Sequence, residues 1–355
     1  MSILIFAVIL VVLIMVHELG HFVAAKLTGV KVVELGLGFP PRIVGVKRGD
    51  TIYSLNAVPL GGFCKMAGEE DPSVPDSLAG KSRWARVFVL AAGSLAMFLL
   101  PLVLLPIAYA IPMERYVEGD GVQVVAVSAG SPAEEAGLEA RDIVLAVDGV
   151  AVNSFDEMHQ AIEPKAGTEV TLLVLRRPDT QFEVTLVPRV DPPEGQGSIG
   201  IQMISITEVI GYPPWRAIPM GFAEYGQMWV LMKDVVVELV RGAEMPSGWE
   251  GPPVTGPIGI AQLTGEIAIG GAMVLVLFAC YLSVNLAIIN LLPIPALDGG
   301  RIAFILLEVL RRGKRVSTHT EGLINTVGFA ALIVLIVVVS YYDVLRIVHG
   351  GSMLP

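Results

Sequence analysis

Four stretches of this 355-residue chain are long and apolar enough to span a bilayer, roughly Ile3–Ala25, Val87–Ile111, Met273–Leu292 and Leu323–Tyr342. A hydrocarbon core offers no water to pair with backbone N–H and C=O groups, so each such stretch has to be a helix. That requirement settles the fold class before any finer reading. Composition agrees, since 54% of the residues are hydrophobic and only 16% charged, too apolar for an ordinary soluble protein. The expected architecture is a polytopic α-helical membrane protein with four transmembrane helices.

The first stretch carries an interruption. Ile3–Val16 have no polar side chain, then comes His17-Glu18-Leu19-Gly20-His21, and Phe22-Val23-Ala24-Ala25 resume the apolar run. Each ionisable group at such depth costs roughly 2.5–3.5 kcal/mol on insertion scales, so it needs a partner or a task. Four-residue spacing puts both imidazoles on one helical face, one turn apart. This is the HExxH arrangement, in which two His nitrogens bind Zn²⁺ and the Glu beside the first acts as general base toward water. On a solvated helix so short a pattern occurs by chance; inside hydrocarbon that explanation loses its force. At about 1.5 Å per residue, the residues before His17 cover about 21 Å of a core near 30 Å.

Charge orients the chain. Nine basic residues lie between Lys26 and Arg86, and Arg301, Arg311, Arg312, Lys314 and Arg315 follow the third stretch. Residues 112–272 instead carry a net −14, against +4 for everything else. The positive-inside rule then places both basic loops in the cytoplasm, and the acidic segment and both termini outside. The metal would sit nearer the cytoplasmic face. The acidic balance argues against nucleic-acid binding. The first apolar segment lacks a basic n-region, so no cleavable signal peptide is expected. Cys64 and Cys280 suggest no disulfide framework.

Residues 31–66 alternate and are punctuated by glycine, which predicts at least one β-hairpin, membrane-associated. It serves either as a purely structural sheet or as a strand edge that pairs with an extended substrate backbone. Residues 68–82 read as a polar, mobile loop. Gly93, Ser94, Pro101 and Pro106 in the second stretch predict close packing and kinks. Between 205 and 272, Trp215, Trp229 and Trp249 suggest amphipathic helices at the membrane interface. The third stretch runs into Asn290-Leu291-Leu292-Pro293-Ile294-Pro295-Ala296-Leu297-Asp298-Gly299-Gly300. Its prolines must break the helix at membrane depth, which is tolerated only where the backbone is buried in protein or lines a cavity. Asp298 there either completes a His₂Asp zinc site with an open position or caps the next helix, two compatible roles. Asn290 either anchors a substrate carbonyl or the oxyanion, or caps broken backbone. His159, His319 and His349 are expected to be surface or terminal residues rather than ligands.

Segment 120–190 shows a strand at Gly121–Val127, a capped short helix at Ser131–Leu138, a strand and turn at Asp142–Gly149, a helix at Ser154–Ile162, and strands at Glu169–Leu175 and Gln181–Val187. Gly197–Ile201 is a further candidate strand. This order resembles a bacterial PDZ domain, an inserted α+β domain, and the resemblance implies binding of extended peptides or chain ends. The plain alternative is a spacer that restricts access.

His17-Glu18-Leu19-Gly20-His21 together with the NxxPxPxLDG pattern of Asn290–Gly299 makes the chain resemble the site-2 proteases. Within them it is similar to bacterial four-span zinc metalloproteases with a single PDZ domain. The resemblance covers essentially the whole chain. It implies Zn²⁺ held by His17, His21 and Asp298, with Glu18 as catalytic base. It also implies cleavage within the membrane of single-span proteins such as anti-sigma factors, pre-cleaved by another protease, at the bacterial cytoplasmic membrane. The family's Gly-Pro-x-x-Asn pattern is replaced here by Gly93-Ser94-Leu95-Ala96-Met97. The implied organisation is a first transmembrane helix over 1–30, a cytoplasmic-side hairpin loop over 31–86, a second helix over 87–111, and an extracytoplasmic PDZ domain over 119–190. An amphipathic region over 191–272 follows, then a third helix over 273–300, a cytoplasmic loop over 301–322 and a fourth helix over 323–345. Two rivals stand beside hydrolysis. A zinc-containing scaffold presenting a PDZ module would have no need of Glu18, and an ion transporter is disfavoured by four spans without an internal repeat.

Overall fold

The computed structural model describes residues 2–116, 120–176, 180–193, 197–204, 207–241 and 255–348, so Trp249 and His349 lie outside the described residues. In chain order the elements begin with α1 (Ser2–Leu27), β1 (Val32–Arg48), β2 (Thr51–Met66), α2 (Arg83–Ala110) and β3 (Met113–Tyr116). There follow β4 (Val122–Val127), α3 (Pro132–Glu135), β5 (Ile143–Val147), β6 (Val150–Ala151), α4 (Phe155–Ile162), β7 (Val170–Arg176), β8 (Thr180–Leu186), β9 (Ile201–Ile204) and β10 (Thr207–Ile210). The chain then forms α5 (Pro214–Arg241), α6 (Pro257–Ile267), α7 (Ala272–Leu291), α8 (Asp298–Leu310) and α9 (Thr318–Val348). Two compact units result. The first holds α1, β1, β2, α2, α5, α6, α8, α9 and most of α7, and the second holds β3 to β10 with α3 and α4.

In the first unit α1, α2, α7 and α9 are long and apolar enough to cross a membrane. The helices outrun three of the four apolar stretches, because polar flanks such as Arg83 and Thr318 continue the helix past the apolar run. Pro101 and Pro106 lie within α2 without ending it. Helices α1 and α2 meet at glycine: a Cβ on Gly20 would stand 2.3 Å from the carbonyl oxygen of Ala92, so only hydrogen fits, as at other small-residue membrane contacts. Helix α5 docks on α2 in the same way, Gly221 against Pro106, while the Tyr109 hydroxyl donates to Glu224 at 2.8 Å. At the end of α1, Ala24 and Ala25 pack with Val32, Leu35, Val89 and Ile305 in one core cluster that ties the hairpin, α2 and α8 to α1.

The hairpin is more folded than two strands. Glu34–Leu37 have partners on both sides, Ile52–Leu55 and Gly62–Lys65, while Val44–Arg48 pair with Thr51–Leu55. Four segments thus lie side by side, with Gly62–Lys65 at one edge and Val44–Arg48 at the other. Pairing is interrupted around Pro40 and Pro41, which have no N–H to donate. Ile43, Val44 and Val46 stay exposed, an apolar surface that water disfavours. The segment expected as a mobile loop, 68–82, is exposed over most of 71–76 but packed at 77–79. Ser77, Leu78 and Ala79 are buried, and Leu78 and Ala79 N–H donate to the carbonyls of Ala67 and Gly68. Its polar composition hides this because the pairing is made by backbone.

The stretch expected as a cytoplasmic loop, 301–322, is helical through Leu310, because α8 begins at Asp298 and continues. Its far end is pinned by Glu308, a buried carboxylate accepting from Arg86 Nη1 at 2.7 Å and Arg83 Nε at 3.1 Å, with Arg315 Nε at 3.4 Å. Burial disfavours the charge, but the Arg86 and Arg83 hydrogen bonds outweigh it and hold the carboxyl below its ordinary value of 4.5. Its contribution to stability is therefore complete above that value and is lost as pH falls through the lower folded-state pKa. Glu308→Gln is expected to lower the thermal midpoint in detergent at pH 7. It should also shrink the further drop that the wild type shows at acid pH, both read by a melting series across pH.

In the second unit the sheet order is β8-β7-β5-β4-β9, with β6 beside β5, and β3 pairs separately with β10. Alternation along β7 sends Val170, Leu172 and Val174 into a core with Val124, Val144, Met158 and Ile162. Ser131 and Ser154 accept from Glu134 and Glu157 N–H, both at 3.2 Å, and start α3 and α4 as N-caps. The element order is the one expected from sequence. The last strand starts later, at Ile201, because Gly200 takes a φ of +76° and seats against Ser131. His159 lies on the surface beside Glu163, at 3.4 Å.

Candidate metal centre

Helix α1 stacks His17 and His21 one turn apart, and their Nε2 atoms are 3.0 Å from each other. His21 is buried, and its Nδ1–H donates to the carbonyl of Val89 on α2 at 2.8 Å. That bond fixes the tautomer and leaves Nε2 with its lone pair facing His17. Asp298 comes in from the start of α8, its Oδ2 lying 3.1 Å from His17 Nε2 and 3.2 Å from His21 Nε2. Three ligand-type atoms therefore form a small triangle. Around a tetrahedral zinc with bonds of about 2.0–2.1 Å, ligand atoms stand about 3.3–3.4 Å apart. The donor set and its spacing fit that ion with one position left over, and α1 needs no distortion to present it.

Glycine makes the triangle possible. A Cβ at Gly93 of α2 would lie 2.4 Å from His21 Nε2 and 2.6 Å from His17 Cε1. His17 Nδ1 is buried without a hydrogen-bond partner, so contact with the bare Gly93 backbone helps hold its ring. On the other side the chain breaks between Leu291 and Asp298. A Cβ on Gly299 would sit 2.2 Å from the carbonyl oxygen of Leu292, and one on Gly300 2.3 Å from that of Ile294. The two glycines let α8 start against the break and so bring Asp298 under α1. The capping role weighed for Asp298 is not the one observed: Leu297 is the N-cap residue, with no side-chain cap.

Glu18 shares a cavity of about 450 Å³ with His17, His21 and Asp298. Cys64, on an edge segment of the hairpin, lines the same cavity. Asn290, in the last turn of α7, lines the same cavity and caps no backbone group among the described residues. His319 is exposed in the first turn of α9 and stands apart from the cluster. Sequence reasoning missed two lining residues, Glu69 and Arg301. Glu69 accepts from Met66 N–H at 3.0 Å and from Arg301 Nη2 at 2.9 Å. Arg301 follows Asp298 by one turn on α8, a spacing that was readable. Glu69 lies 232 positions from Arg301 in the chain and carries no such signal.

Membrane-crossing helices with a His₂-carboxylate cluster and a further carboxylate on the same cavity are the parts a membrane metallohydrolase requires. Residues 5–335 match the profile of peptidase family M50. The chain belongs to that family, the site-2 proteases, and is a zinc metalloprotease of membranes. It is 35% identical over 335 residues to a Clostridium acetobutylicum protein provisionally named a zinc metalloprotease, covering 94% of each chain. It is 27% identical over 428 residues to zinc metalloprotease RasP of Geobacillus kaustophilus, covering 97% of each. Among solved structures, the PDZ domain of an SdrC-like protein of Listeria monocytogenes matches with 27% identity and a TM-score of 0.22, covering 25% of this chain and 94% of that one.

Gly93→Ala tests the packing of the site. The added methyl has to push both imidazoles or α2 aside, so we expect zinc retained after dialysis to fall well below one per chain. Metal analysis of the purified protein checks this.

Proposed function

We propose that His17, His21 and Asp298 hold the zinc and that Glu18 is the general base of a peptide-bond hydrolysis inside the membrane. The convergence of three ligand atoms within 3.0–3.2 Å, with Glu18 on the same cavity, carries the reading. When bound, zinc supplies Lewis acidity, which polarises the scissile carbonyl and makes water a competent nucleophile near neutral pH. Glu18 takes the proton from the attacking water and returns it to the leaving amine as the C–N bond breaks. Asn290, free of backbone duties at the rim of the cavity, is placed to donate to the substrate carbonyl.

A peptide bond in a helix is shielded, so the substrate has to be extended before it can react. The edge segment Gly62–Lys65 offers backbone groups for pairing with such a stretch, beside the cluster. The substrates that fit are single-span membrane proteins already trimmed by another protease, anti-sigma factors among them. The charge asymmetry favours the bacterial cytoplasmic membrane, with both termini and the acidic second unit extracytoplasmic and the cluster open to cytoplasmic water. The second unit, read as a PDZ domain, would bind extended peptide ends on that outer side.

The test is cleavage of a tagged single-span substrate in proteoliposomes by wild type and by Glu18→Gln, with zinc measured in both. Loss of a general base predicts a rate lower by about 10²–10⁴-fold with zinc still bound. Equal cleavage by both proteins would remove Glu18 from the reaction. Zinc-loaded wild type that cleaves none of several pre-trimmed substrates would favour a scaffold. Stripping zinc with a chelator should abolish cleavage, and adding zinc back should restore it.

A further inference from the structure

The segment carrying Asp298 is held by the fourth apolar helix at two points. Between α7 and α8 the chain turns through Ala296, whose φ of +75° lies in the left-handed region that side chains disfavour. Its N–H donates to the Oδ1 of Asn325 on α9 at 3.2 Å. One turn along the same face of α9 is Gly328, where a Cβ would be 2.4 Å from Cβ of Pro295. Asn325 and the notch at Gly328 thus grip Ala296 and Pro295, two and three residues before the carboxylate. The neighbouring turns are closed by backbone alone, Ile294 N–H to Leu292 at 2.7 Å and Leu297 N–H to Ile294 at 3.1 Å. The Ala296 amide instead takes its acceptor from another helix. An amide side chain in an apolar helix is costly unless paired, and its partner here is a strained backbone position next to the metal cluster.

We infer that Asn325 is a positioning residue for the zinc site: it holds Ala296 in its left-handed conformation and thereby sets the Asp298 carboxylate against His17 and His21. The inference rests on Asp298 being a zinc ligand. It assigns α9 a part in metal binding although none of its side chains belongs to the ligand cluster.

The experiment is chelator competition for zinc on the full chain in detergent, with wild type, N325A, A296G, the double variant A296G/N325A, and D298N. Loss of an outer partner of a metal ligand weakens affinity by about 10–100-fold, the drop expected for N325A. Glycine adopts the left-handed conformation without penalty, so A296G should bind like wild type and the double variant should return to near the wild-type value. A general packing defect at Asn325 would not be repaired by removing a methyl from Ala296. Unchanged affinity in N325A, a double variant as weak as N325A, or an N325A protein that cannot be purified folded even with A296G, would each overturn the inference. D298N separates the two levels: if it weakens zinc binding and N325A does not, only the role of Asn325 falls. If D298N binds zinc like wild type, the ligand assignment falls and this inference with it.

Discussion

Ionisable side chains placed in hydrocarbon have to satisfy one another, and much of the first unit can be understood as the means of bringing three of them together. His17 and His21 arrive for free, because helical pitch aligns them. Asp298 does not, since it is 277 residues from His21 and must be delivered by a broken helix. The break needs prolines to end α7, glycines at 299 and 300 to let α8 begin at once, and an anchor at each end of α8. Glu308 supplies the far anchor through its arginines. A cluster of this kind is costly when incomplete, because a lone buried carboxylate or imidazole has no water to fall back on. A metal ion held by these three groups would also relieve their mutual crowding at 3.0–3.2 Å.

How much of this was readable depends on where the information lies. The clustering of the HELGH imidazoles was legible because their spacing is local, and that of Asp298 because two prolines and a carboxylate in an apolar context leave few interpretations. Serine caps and alternating strands made the second unit legible for the same reason. Glycines 20, 93, 299 and 300 could be read as small, but not as contact points, since the atom each must avoid belongs to a distant segment. Glu69 and Asn325 were invisible on the same ground. The packed end of the 68–82 segment, at 77–79, was missed because composition reports side chains, and that end is tied by backbone hydrogen bonds. The hairpin was recognised, while its doubled register was not, because pairing on both sides of Glu34–Leu37 depends on how the strands bend near Pro40 and Pro41.

The close approach of α1 and α2 gives the two middle positions of the HELGH turn unequal standing. Leu19 is 44% exposed and faces outward, where any apolar side chain of similar bulk would serve. Gly20 lies against the carbonyl of Ala92 with room for a hydrogen only. A pattern written with two interchangeable blanks thus conceals a third fixed position, one that binds no metal and moves no proton. Searching for relatives of this helix with two free positions admits chains whose first two helices cannot approach closely enough to build the site.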